Sequence, residues 1–209
     1  MREIERVVVL AVFSAIFVLT MVSPLVAGED PERTCLKCRV KVIAKTHASG
    51  DLDKLLGYLA DNYTRVDVAT GETVGREAIE AVLEWEIALH GRLTYEDLAW
   101  EGSTVTGYFE ETNDLYDLLA IEPRRYRMVF TFEGDLLREQ RIETLGPDGP
   151  DLDEALTPFL AWASGRRSDA LARVYRDGRF VYGGPEAERC MELLTVWASE
   201  KEVSRLGNQ

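Results

Sequence analysis

The hydrophobic period changes at His90-Gly91, and that change limits what the chain can fold into. Before it, apolar residues recur at helical spacing. Ile79, Val82, Leu83 and Ile87, with Trp85 beside them, give one apolar face to a helix opened by Gly75. Upstream, Leu36, Val40, Ile43, Ala44 and His47 form one stripe of a helix over 31–48, which Ser49-Gly50 ends. Asp51 then stands as an N-cap before Leu52, Leu55, Leu56 and Leu59, again at helical spacing. A short strand over 64–68 follows, closed by the turn residues Thr70-Gly71-Glu72. After Gly91 the segments 92–101, 103–112, 125–133 and 136–145 read as strands, separated by Gly102 and Glu133-Gly134-Asp135. A short helix over 113–121 interrupts them and stops before Pro123. Helices grouped ahead of an antiparallel meander predict an α+β fold, with the helices covering one face of the sheet.

Two further segments flank this unit, which spans 31–146. Gly146-Pro147-Asp148-Gly149-Pro150 is a linker, and the tail over 150–205 reads as helices over 152–163, 169–175 and 185–203, with Arg179-Phe180-Val181-Tyr182 extended between the last two. So short a tail is small for a core of its own. It is therefore expected to pack on the main domain through Phe159, Trp162, Leu171, Val174, Leu194 and Trp197. At the other end, residues 7–28 contain no charged side chain, follow Arg2 and Arg6, and close on Ala27-Gly28. Segment 1–28 is thus expected to be a signal peptide or, uncleaved, a membrane anchor. The chain is expected to be exported, periplasmic or extracellular, and to touch a membrane only through that segment.

The net charge is −13, and losing Arg2, Glu3, Glu5 and Arg6 with the leader leaves it unchanged. Such a body repels nucleic acid and anionic lipid, so a neutral, apolar or cationic ligand is expected. Three cysteines are present. Cys35 and Cys38 form a C-x-x-C pair, but Arg39 stands where haem attachment needs His, and no strand precedes the pair as in a redox motif. Only Cys190, His47 and His90 remain to complete a zinc set, and they are scattered. No metal and no cofactor is expected. In an oxidising compartment the cysteines are expected to form a disulfide, local between Cys35 and Cys38 or long-range.

In order along the chain stand Ser49-Gly50-Asp51-Leu52-Asp53-Lys54-Leu55, Tyr63, Asp67, Gly75-Arg76-Glu77-Ala78-Ile79, and a hairpin strand ending Phe130-Thr131-Phe132-Glu133-Gly134. This set resembles the SnoaL-like members of the nuclear transport factor 2-like superfamily, over about residues 35–145. The resemblance implies a curved sheet wrapped around helices, forming a cone with a pocket, with a homodimer through the sheet as a common assembly. It does not select a function, since such cones serve cyclases, isomerases, epoxide hydrolases, dehydratases and proteins that only bind.

If the last hairpin turns at Glu133-Gly134-Asp135, then Arg125, Arg127, Val129 and Thr131 share a face with Leu137, Glu139, Arg141 and Glu143. Tyr126, Met128, Phe130 and Phe132 then face the other way with Leu136 and Ile142. The polar face is the functional candidate, its alternative being a solvated surface of ion pairs. Glu111 and Asn113 end the preceding strand near the expected pocket mouth, and Asp67 falls where the resembled epoxide hydrolases place a water-binding amide. Those hydrolases also carry an Arg-x-Asp pair and a second acid. Here Phe109 and Glu111 replace the pair, and Arg141 falls near the place of the acid. The candidate catalytic residues are Asp67, Glu111 and Glu139. The candidate ligand-binding residues are Trp85, Asn113, Arg127 and Arg141, with Trp85, on an apolar helix, read first as a core residue. No nucleophile elbow and no phosphate-binding glycine loop is present.

Three readings stand. The first is a pocket domain binding a small, partly apolar molecule. The second is a cofactor-independent hydrolase, isomerase or cyclase, which needs a buried carboxyl beside a cavity. The third is an interaction module, which needs an exposed apolar patch about Trp162 and Trp197.

Overall fold

The computed structural model of the protein describes residues 35–146 and 152–206, with side chains as far as 203. The expected export segment, the first residues of the domain and the core of the linker lie outside the described residues. Helices α1 (Leu36–Ala48) and α2 (Leu52–Leu56) precede strands β1 (Leu59–Asp67) and β2 (Thr73–Gly75), and helix α3 (Arg76–Ala88) follows. Strands β3 (Arg92–Glu101) and β4 (Thr104–Thr112), helix α4 (Asp114–Leu119), and strands β5 (Arg124–Glu133) and β6 (Leu136–Leu145) complete the unit. The tail contains α5 (Leu152–Arg166), α6 (Ser168–Val174), the two-residue strands β7 (Tyr175–Arg176) and β8 (Arg179–Phe180), and α7 (Gly184–Leu206).

The six main strands form one sheet in the order β2-β1-β6-β5-β4-β3. β1 lies parallel to β6, and every other pairing is antiparallel. Register shifts in the β1–β6, β3–β4 and β5–β6 pairs bend the sheet. The curved sheet and its covering helices form the α+β cone that the resemblance implied.

Asp51 caps α2, its carboxylate accepting the Lys54 amide at 3.2 Å. The helix is shorter than its leucine spacing predicts: it stops at Gly57, and Leu59 opens β1 opposite Leu137. Sheet pairing overrides the helical period there. The last hairpin corrects the simple alternation. Phe132 pairs with Leu137 but Thr131 pairs with Glu139, so Arg138 is an extra residue in β6. The bulge turns Leu137 inward beside Phe130 and Phe132 and leaves Leu136 exposed, the reverse of the expected faces.

Two apolar clusters meet along α3. Its Ile79 and Leu83 join the cone core with Val40, Tyr63, Phe109, Met128 and Phe130. Its Trp85 and Leu89 join a second core with Leu115 and Tyr116 of α4 and Leu156, Phe159, Val174, Leu194 and Trp197 of the tail. A 3.6-residue period places these two sets on different sides of one helix. Trp197 is buried, and Trp162 is half-buried with its indole N–H donating to Glu200 at 2.9 Å, so the patch required of an interaction module is not exposed there. Cys35 and Cys38 form a disulfide at the start of α1, and Cys190 is a free, buried thiol.

Candidate functional site

Between the concave face of the sheet, α3, α4 and the tail lies a cavity of about 590 Å³, within the range of small-molecule sites. Val82, Trp85, Leu89, Leu93, Met128 and Ile142 give it apolar walls, and Phe180 and Tyr182 contribute from the tail. The Trp85 ring packs against Phe180 and Tyr182 at centroid distances of 5.0 and 5.8 Å, so the tail forms one side of the chamber.

One polar group on its wall centres on Glu86 of α3. The Arg65 guanidinium of β1 donates to one Glu86 oxygen at 2.6 Å, and His47 Nε2 of α1 lies 3.1 Å from the other. Arg65 Nε and the Tyr63 hydroxyl both donate to Gln140 Oε1, at 3.2 and 2.9 Å. Burial alone would raise the Glu86 pKa, but the adjacent Arg65 charge and the His47 hydrogen bond outweigh it and hold the carboxyl at about 2. Glu86 is therefore a carboxylate, and the His47 nitrogen facing it carries the proton; that tautomer follows from the hydrogen bond. The Nδ1 atom of His47 is buried with no partner among the described residues. A second void of about 40 Å³ lies behind this group, lined in part by Val40, Leu83 and Phe109, and shares Arg65, Glu86, Leu93 and Gln140 with the larger chamber.

The other polar group is built on Glu111, which shares the inner face of β4 with Val105 and Phe109. Its two oxygens accept from Asn113 Nδ2 at 3.0 Å and from the Tyr126 hydroxyl at 2.9 Å. Asn113 is fixed by a second task, capping α4 by accepting the Tyr116 amide at 2.9 Å. The Tyr116 and Tyr126 hydroxyls lie 3.5 Å apart. Burial pushes the Glu111 carboxyl above the ordinary glutamate range and the Glu86 charge adds to the shift, while Tyr126 and Asn113 pull against both. Burial also pushes the Tyr126 phenol up and takes Tyr116 to about 12, so both stay neutral.

The chamber thus has one carboxylate locked in its charged form and one whose pKa burial raises. Glu111 is the stronger base of the two, whereas Glu86, held at about 2, is a weak one.

The sequence candidates divide. Trp85, Asn113, Glu111 and Asp67 all line the chamber. Trp85 is at once core and wall. Asp67 lies at the mouth, where Oδ1 accepts the Thr70 amide at 2.8 Å and its hydroxyl at 2.9 Å, which makes it a turn residue as well. Arg127, Glu139 and Arg141 are corrected: they stand on the outer face of the sheet, away from the chamber. There Arg127 pairs with Glu143 at 3.4 Å and Arg141 approaches Glu139 at 4.0 Å. The apolar face of the hairpin meets the pocket because it is the face that buries hydrophobic surface against the helices. Sequence reasoning missed Arg65, Glu86, Gln140, Tyr116 and Tyr126. A signal existed for Glu86, which follows Ile79 and Leu83 at helical spacing on the buried stripe of α3. Arg65 likewise has the inward parity of Tyr63. Among the described residues, no group of three or more His, Cys, Asp or Glu is placed to hold a metal ion.

No protein-family model matches the sequence, and no curated protein matches it. Solved structures do. An NTF-2 like protein of unknown function from Burkholderia xenovorans LB400 is similar at 13% identity with a TM-score of 0.44, over 63% of this chain and 91% of that one. SalBIII, an epoxide hydrolase/cyclase-like enzyme in pyran ring formation in the polyether salinomycin, is similar at 15% identity with a TM-score of 0.46, over 52% of this chain and 89% of that one. A cystatin-like fold protein of unknown function from Methylobium petroleophilum PM1 is similar at 13% identity with a TM-score of 0.47, over 57% and 82%.

Proposed function

We propose that this chain, a pocket domain built as a nuclear transport factor 2-like cone, binds a small, partly apolar molecule in the chamber between sheet, α3 and tail. One observation carries the reading: a cavity of about 590 Å³, lined in part by Val82, Leu93, Met128 and Ile142, also carries the convergent polar group Glu111, Asn113, Tyr116 and Tyr126. Apolar walls supply affinity and a few fixed polar atoms supply orientation. Export is part of the proposal. The uncharged run 7–28 and the Cys35–Cys38 disulfide support it.

A second reading adds chemistry, and the state of Glu111 favours it. A carboxyl with its pKa raised by burial, beside two neutral phenols, is suited to cofactor-independent proton transfer on a bound carbonyl or ether. Native mass spectrometry against a library of small amphipathic molecules tests the first reading. One-to-one adducts are expected with the natural chain and not with Val82→Trp, which fills the chamber. Equal adducts with both proteins, or none with either, contradict it. Deuterium uptake by bound ligand in D2O, catalysed by the natural chain and lost in Glu111→Gln, separates the second reading. Binding without uptake leaves binding alone.

A further inference from the structure

We propose that the molecule held in this chamber carries a cation, a protonated amine or quaternary ammonium on an apolar body, seated with its charge against Glu111. The inference rests on the binding reading above and names the class of ligand.

The hydrogen-bond capacity of the chamber decides what it accepts. At its polar end the Tyr126 hydroxyl is committed as a donor to one Glu111 oxygen, and an Asn113 amide proton to the other. The Asn113 carbonyl oxygen is occupied by the Tyr116 amide. The Glu111 carboxyl keeps lone pairs for a ligand, beside the second Asn113 amide proton, the Tyr116 hydroxyl and Arg124, which pairs across the strands with Glu111. An ammonium would bring up to three donors to those lone pairs.

The charge inventory agrees. Five carboxyl residues line the cavity (Asp67, Glu72, Glu86, Glu111 and Asp153) against the three arginines Arg65, Arg124 and Arg179. Arg65 is paired with Glu86 at 2.6 Å and Arg179 with Glu72 at 2.8 Å. Among the described residues, neither hydrogen-bond partner of Glu111 is a cation; both are neutral side chains. A half-buried carboxyl with no cation among its hydrogen-bond partners gains when ionised from a ligand cation set against it. The raised Glu111 pKa is the same deficit seen as a proton affinity. The chamber is also lined by Trp85, Tyr116, Tyr126 and Tyr182, aromatic rings whose faces attract a cation. The net charge of −13 draws cations toward the mouth.

Matched ligand pairs test the proposal: phenethylamine with phenethyl alcohol, tryptamine with tryptophol, and adamantylmethylamine with adamantylmethanol. Isothermal titration calorimetry at neutral pH on the full chain should show the amine of a pair binding about tenfold or more tightly than its alcohol, and Glu111→Gln should erase that preference. In the natural chain, which needs no variant to fold, the preference should also shrink as acid protonates Glu111. Alcohols binding as tightly as amines overturn the cation and leave the pocket standing. If no member of either set binds, the pocket reading fails and this inference with it.

Discussion

Replacing Glu86 by alanine should cost about 1.5–3 kcal/mol of folding stability in urea denaturation, because it leaves a half-buried guanidinium without its counter-charge. Arg65 has a side chain only 16% exposed, and Glu86 lies 2.6 Å from it. Removing the carboxylate also takes the partner of His47 Nε2, whose other nitrogen is already unpaired among the described residues. The comparison that gives this number meaning is the double replacement Glu86→Leu with Arg65→Met. Exchanging a buried pair for apolar side chains of similar size removes two desolvation penalties along with one attraction, so that variant should lose far less than the single one. The pair also sets an acid limb. The Glu86 pKa falls on folding from its ordinary 4.5 to about 2, so the unfolded chain binds more protons in that window. Its contribution is fully present above the ordinary glutamate range and is lost as pH falls from 4.5 toward about 2. Glu86→Ala should flatten this part of the stability profile.

Trp85→Ala should be more severe, at about 3–5 kcal/mol, and more localised in its consequences. Trp85 is 5% exposed and belongs to the cluster that α4 and the tail share, with its ring against Phe180 and Tyr182. It takes no part in the cone cluster around Ile79 and Leu83. Hydrogen exchange should therefore speed up first in α5–α7, while amides of β4–β6 stay protected. Ligand binding should disappear with the wall of the chamber. Uniform loss of protection in both parts would show that cone and tail unfold as one unit.

How much of this was legible in the sequence depended on whether a residue acts locally or across the fold. The strands 92–101 and 136–145 emerge as read, because alternation and turn residues are local signals. Asn113 was legible as a strand end, and it caps α4. The polar hairpin face misled because alternating Arg and Glu mark a surface as readily as a site, and parity alone does not say which face the helices cover. The Arg138 bulge was illegible because two-to-one pairing depends on the partner strand. The Glu86 group joins α1, β1, α3 and β6, and its ion pair shows only when the parallel β1–β6 pairing sets Arg65 beside Gln140. A charged residue on a buried stripe was the available warning.

Glu111 is a half-buried acid facing a ligand chamber. Carbon-13 NMR of the Glu111 side-chain carboxyl, assigned with Glu111→Gln and followed through a pH titration with and without adamantylmethylamine, tests it most directly. A midpoint above the ordinary glutamate range in the free protein, moving down when the amine binds, is expected. An ordinary midpoint that the amine leaves in place would contradict it.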